Sequence, residues 1–190
     1  MNRPRGRPPR DKGTASREDM LDAALHLLDA KGVEAFTMRA LAARVQVNPM
    51  TIYHHFGDRD GLIGAMAERV YAGVAAPEDG EPVSRIEALL RAYHAEVMRH
   101  PGLTLLIFSR PAVFPEQARR ITEELTRLLA EAGLPPERLG LWINILVDFT
   151  HGAAVATAMG GRADGSAPGL GSDDGYADAL AELLSGLRKR

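Results

Sequence analysis

Apolar residues recur three and four positions apart along nearly the whole 190-residue chain. That spacing puts them on one face of a helix, and it excludes most sheet-based folds at once. Leu21, Ala24, Leu25 and Leu28 form the first stripe. Ile63, Met66, Ala67, Val70 and Val74 form another, and Ile86, Leu89, Leu90, Tyr93 and Val97 a third. Ile121, Leu125, Leu128 and Leu129 continue the pattern, as do Tyr176, Leu180, Leu183, Leu184 and Leu187. No segment alternates as a strand does, and no repeat is visible. The expectation is an all-α protein of about nine helices. With 45% hydrophobic residues it has enough apolar material for a real core.

Stop and start signals divide the helices. Ser16 is placed to cap the first helix, with Glu18 and Asp19 in its first turn, and Lys31-Gly32 ends it. A short helix runs from about Thr37 to Val45. Asn48 can cap a third helix, from Pro49 to His55, with proline at the position where its missing N–H costs nothing. Gly57 closes that helix and Asp58 caps the fourth. The turn-rich segment 76–82 is the expected domain boundary, dividing a head at 16–76 from a second domain at 77–190. The sequence Ser-Arg-Ile-Glu at 84–87 has the pattern of a capping box. A long apolar helix spans about Pro135 to Met159, and the glycine-rich 160–175 reads as a loop. Asn144, Asp148 and His151 interrupt the apolar helix and favour a buried or interface helix over a membrane span.

Charge is unevenly placed. The net charge is -2, yet residues 3–13 hold four arginines and a lysine against one aspartate. This basic arm (1–15 in the domain scheme) points to a polyanion partner. No cysteine is present, so disulfides and thiolate chemistry are excluded. No signal peptide precedes the first helix, and the expected location is cytoplasmic. No cofactor, metal site or catalytic group is expected, because no nucleophile, metal cluster or phosphate loop is present.

Two short helices joined by a tight turn suggest a helix-turn-helix, whose second helix enters the DNA major groove. The plain alternative is a helical hairpin in a bundle. The third helix is too short to contribute much core, and its outward residues suit phosphates and base edges. The stretch EAFTMRALAARVQVNPMTIYHHFGDRDGLIGAM, with its Tyr-x-His-Phe element, resembles the DNA-binding domain of the tetracycline-repressor (TetR) family of bacterial transcriptional regulators. The resemblance covers about residues 16–70. It implies three helices for DNA, a fourth as connector, and a larger dimeric ligand-binding domain. Thr37 and Arg39 match positions that touch the DNA backbone, and Thr51, Tyr53, His55 and Arg59 match phosphate-contact positions. Pro49, Met50 and His54 are the base-edge candidates, and the capping Asn48 is a further DNA-binding candidate. Gln46 stands where the family turn usually has glycine, so it is expected either to hold a strained backbone or to change the turn. In the arm, Pro-Arg-Gly-Arg-Pro has the core of an AT-hook, and Arg5 and Arg7 are candidates for an A·T-rich minor groove. The bland reading of the same arm is a solubilising tail.

The second domain resembles the regulatory domain of the tetracycline-binding members of that family, at Ser109-Arg110-Pro111 and Phe149-Thr150-His151-Gly152. Leu106 and Ala156 occupy the places of the metal-side ligands there, so a metal-borne drug is not implied. Tyr93, Leu106, Phe108, Arg110, Trp142, Ile143 and Val147 are the expected pocket lining. Asn144, Asp148 and His151 share one helix face, and either contact a ligand or satisfy one another or a partner subunit. The expected partners are double-stranded DNA, a small-molecule effector and a second copy of the chain, with no membrane. The resulting function is a ligand-responsive DNA-binding regulator, usually a repressor in this family. An architectural protein of A·T-rich DNA is the rival reading.

Overall fold

The computed structural model describes residues 15–110, 113, 115–160 and 173–188. The arm with Arg5 and Arg7, and most of the glycine-rich stretch, lie outside the described residues. Nine helices are present among the described residues, and no strand.

α1 (Arg17–Ala35) starts on a reciprocal cap. The Ser16 hydroxyl accepts the Asp19 N–H at 3.1 Å, and the Asp19 carboxylate accepts the Ser16 N–H at 2.9 Å. Those hydrogen bonds hold the Asp19 carboxyl below its ordinary pKa. Gly32, at φ +77°, breaks the helix where the sequence signals a stop, and one further turn follows. α2 (Met38–Arg44) is capped by Thr37, α3 (Pro49–Phe56) by Asn48, and α4 (Arg59–Tyr71) by Asp58. Each cap side chain accepts a backbone N–H at 2.7–3.1 Å. The turn between α2 and α3 holds Gln46 at φ +56°, so the glutamine adopts the backbone that glycine favours. Gly61 admits no side chain, because a Cβ there would stand 2.0 Å from the Phe56 carbonyl oxygen.

α5 (Pro82–Arg99), α6 (Pro101–Phe108), α7 (Glu116–Glu131), α8 (Pro136–Gly160) and α9 (Asp173–Arg188) complete the chain. The expected capping box at Ser84 does not form. Pro82 opens α5 two residues earlier, so Ser84 lies inside the first turn, and the cap residue Glu81 makes no side-chain cap bond. α9 likewise begins at Asp173, inside the stretch read as a loop.

α5 is the centre of the second domain and packs on α7, α8 and α9. α4 packs on α6 and α7, and α1 on α6, so one apolar core runs through head and second domain without interruption. A polar clamp fixes α9. The Tyr176 hydroxyl meets Thr150 Oγ1 at 2.8 Å on α8 and donates to the Leu90 carbonyl of α5 at 3.3 Å. Its ring stacks on His94 at 3.7 Å.

α8 is long and apolar enough to cross a membrane by length and composition. Leu146, Thr150, Ala153 and Ala154 turn one face of it into the core. The opposite face exposes Leu141 (55%) and Ile145.

Candidate nucleic-acid interface and internal cavity

α3 is built to be read from outside. Ile52 and Phe56, four residues apart, bury one face of it. The other face presents Met50, 68% exposed, and Tyr53, 40% exposed, beside exposed His54 and His55. Pro49 and Thr51 are half-buried at its start, and Asn48 is exposed at the cap. Arg39 is exposed on α2, and exposed Thr37 caps that helix, with its hydroxyl on the Ala40 N–H. Arg59 is half-buried, with its guanidinium 5.7 Å from the Phe36 ring. Its Nε is buried without a partner. All ten expected contact residues outside the arm therefore cluster around α3 and its two flanking turns. Sequence reasoning missed Arg17, whose guanidinium lies 5.0 Å from the Phe56 ring, at the end of α3. The available signal was a cation at the first position of α1, directly after the arm.

Between α4, α5, α6, α7 and α8 lies a cavity of about 320 Å³. Of the expected lining, Tyr93, Phe108 and Val147 stand on its wall, and His151, left open between ligand and interface, stands there with them. Four expected residues and the open candidate Asp148 lie off its wall. Leu106 is buried in the core, and Arg110 turns to the head, where it pairs with Asp60 at the start of α4. Trp142 is directed to α9, 3.9 Å from where a Cβ of Gly186 would stand. Ile143 is half-buried away from the cavity, and Asp148 is exposed, as is Asn144. The three polar residues of α8 thus part company, because the helix rotates only His151 inward. Sequence reasoning missed Tyr71, Thr104, Ile121, Thr122 and Leu125 on the wall. Ile121 and Leu125 were visible as an apolar stripe, and a stripe reads the same whether it faces side chains or empty space.

Four polar residues of the cavity wall, Tyr71, Tyr93, Thr104 and His151, lie together, whereas the Thr122 hydroxyl donates to the Ala118 carbonyl of its own helix. The Tyr93 hydroxyl sits 2.5 Å from His151 Nε2. The Tyr71 and Tyr93 rings lie 5.3 Å apart, and the Tyr71 hydroxyl is 3.4 Å from Thr104 Oγ1. Burial raises the pKa of both tyrosines, so both stay protonated. Burial also lowers His151 to about 4, against a smaller opposing pull from Asp148, so the imidazole is neutral near pH 7. Phe108 meets the His151 ring edge-on at 4.6 Å on the cavity wall and is itself 54% exposed.

The helices around the cavity also hold the head. Besides the Arg110–Asp60 pair, the Gln117 N–H donates to the Glu68 carboxylate at 3.3 Å, and Arg120 donates to the Val74 carbonyl at 2.6 Å. Tyr71 is the last residue of α4 and part of the cavity wall.

Residues 20–66 match the family described as bacterial regulatory proteins, tetR family. An HTH-type transcriptional regulator BetI from Paraburkholderia xenovorans (strain LB400) is 30% identical over 182 residues, covering 90% of this chain and 78% of that protein. The HTH-type transcriptional repressor DrrR1 of Streptomyces coeruleorubidus is 30% identical over 146 residues, covering 75% of this chain and 54% of that protein. The chain thus spans only about half the length of that repressor. Among solved structures, BioQ with its double-stranded DNA operator superposes with a TM-score of 0.73 at 23% identity, covering 92% of this chain and 99% of that one.

Proposed function

The chain belongs to the tetR family of bacterial regulatory proteins, and from that premise we propose that it is a ligand-responsive, cytoplasmic repressor that binds a palindromic operator as a homodimer. The observation that carries this reading is α3: two buried anchors on one face and an uncovered row of Met50, Tyr53, His54 and His55 on the other. Met50 offers apolar contact to a thymine methyl, and His54 a hydrogen bond to a base edge. Thr37, Arg39, Thr51, Tyr53, His55 and Arg59 serve phosphates, which fix register without reading sequence. Arg5 and Arg7 enter the adjoining minor groove.

The partner copy covers the outer face of α8, where Leu141, Ile145, Gly152 and Ala156 are exposed, together with α9. A two-fold dimer carries two copies of α3 to half-sites about 34–36 Å apart. The effector occupies the cavity. The same α6–α7 segment lines that cavity, grips α4 through Arg110 and Gln117, and holds Val74 just beyond α4 through Arg120. A ligand that spreads the wall displaces those three holds and Tyr71, and α4 carries the shift to α3. Release from DNA requires that the ligand bind the displaced arrangement more tightly than the DNA-bound one.

Selection of sites from random duplex DNA, with the full chain and with residues 16–190, tests the reading. A palindromic consensus from both is expected, with a flanking A·T preference from the full chain alone. A non-palindromic, A·T-rich set with steep salt dependence would overturn it in favour of an architectural protein.

A further inference from the structure

The polar atoms of the cavity restrict what can fill it. No charged side chain lines it among the described residues. Its titratable groups are Tyr71, Tyr93 and His151, and burial holds all three neutral. A charged ligand would lose its hydration there and meet no counter-charge. Size restricts the ligand further. An apolar cavity of roughly 150 Å³ accepts a benzene ring. The volume of about 320 Å³ therefore suits two or three rings.

One polar atom of the wall residues is unmatched. His151 is 9% exposed, its Nε2 lies 2.5 Å from the Tyr93 hydroxyl, and its Nδ1 is buried without a partner. With the ring neutral and the tyrosine O–H donating to Nε2, the imidazole hydrogen sits on Nδ1. A buried donor without an acceptor is unfavourable, and a ligand oxygen relieves it.

Resting on the effector reading above, we propose that the cavity binds an uncharged molecule of two or three rings, one carbonyl-type oxygen of which accepts a hydrogen bond from His151 Nδ1, the ring being held by Tyr93. Half-exposed Phe108 touches the His151 ring at this corner of the cavity.

Calorimetric titration of the full chain with naphthalene, 2-acetylnaphthalene and 2-naphthoate tests the proposal without knowledge of the natural ligand. The three probes share a ring system and differ in acceptor and charge. 2-Acetylnaphthalene is expected to bind about tenfold tighter than naphthalene, and 2-naphthoate weakest of the three. His151→Phe is expected to bring the ketone and the hydrocarbon to the same affinity, erasing the roughly tenfold ratio between them. The wild-type ranking decides alone if that variant melts early. Equal or tighter binding of the carboxylate, a ketone no better than the hydrocarbon, or no binding of any probe would overturn the proposal. Any of these beside an intact palindromic consensus overturns the ligand class alone. The expected ranking without such a consensus overturns the regulator reading instead.

Discussion

Gln46 holds φ at +56° in the turn between α2 and α3, in a conformation that costs a non-glycine residue about 1 kcal/mol. The surrounding turn imposes it: the Val47 N–H donates to the Ala42 carbonyl at 3.0 Å, and Asn48 must arrive in position to cap α3. Gln46→Gly relieves the strain, less the entropy that glycine adds to the unfolded chain. We expect a net gain of about 0.5 kcal/mol, read as a higher urea midpoint, and a lower midpoint would refute the strain. His151 makes a second prediction at this scale. Its folded pKa of about 4 lies below the ordinary 6.5, so between those values the unfolded chain binds the extra proton. Stability from the neutral imidazole is complete above about pH 6.5 and is lost as the pH falls toward 4, by about 3 kcal/mol. His151→Phe should therefore flatten the fall of Tm between those limits, and curves that stay parallel to wild type would show that the group does not titrate in this way.

At the scale of the element, α3 was the most legible part of the chain. Asn48 and Pro49 mark its start, Gly57 its end, and a seven- or eight-residue helix with only Ile52 and Phe56 as anchors has little else to do than present its outer face. α7 was legible as a helix but not as a wall, because Ile121 and Leu125 obey the same spacing as any core stripe. Ser84 was misread because its box pattern is local, whereas Pro82 and the preceding turn decide where α5 begins. The inward turn of His151 away from Asn144 and Asp148 depends on how α8 is rotated against α5, which no local pattern carries. The clamp on α9 is of the same kind, joining Tyr176 to residues 26 and 86 positions away. Tyr176→Phe removes both hydrogen bonds and is expected to cost about 1–2 kcal/mol in urea unfolding with an unchanged slope. A variant as stable as wild type would mean that ring stacking alone holds the helix. On α2, Arg39→Ala should weaken binding to every duplex alike and lower the salt slope by about one. Loss confined to particular sequences would move Arg39 from backbone to base contact.

At the scale of the molecule, the continuous core makes head and second domain mechanically dependent, and the proposed dimer rests on the exposed outer face of α8. Leu141 exposes more than half of its surface on that face. Leu141→Glu should shift sedimentation equilibrium toward the single chain and weaken operator binding with it, and a variant that remains dimeric would place the interface elsewhere. In the proposed repressor α3 reads the operator, and two copies read it symmetrically. The most direct test compares the consensus selected by wild type with that selected by His54→Ala. We predict that the substitution relaxes one base position in each half-site, at mirror-related places, and leaves the spacing untouched. A consensus that changes in one half only, or does not change at all, would contradict the claim that a symmetric pair of α3 helices is the reader.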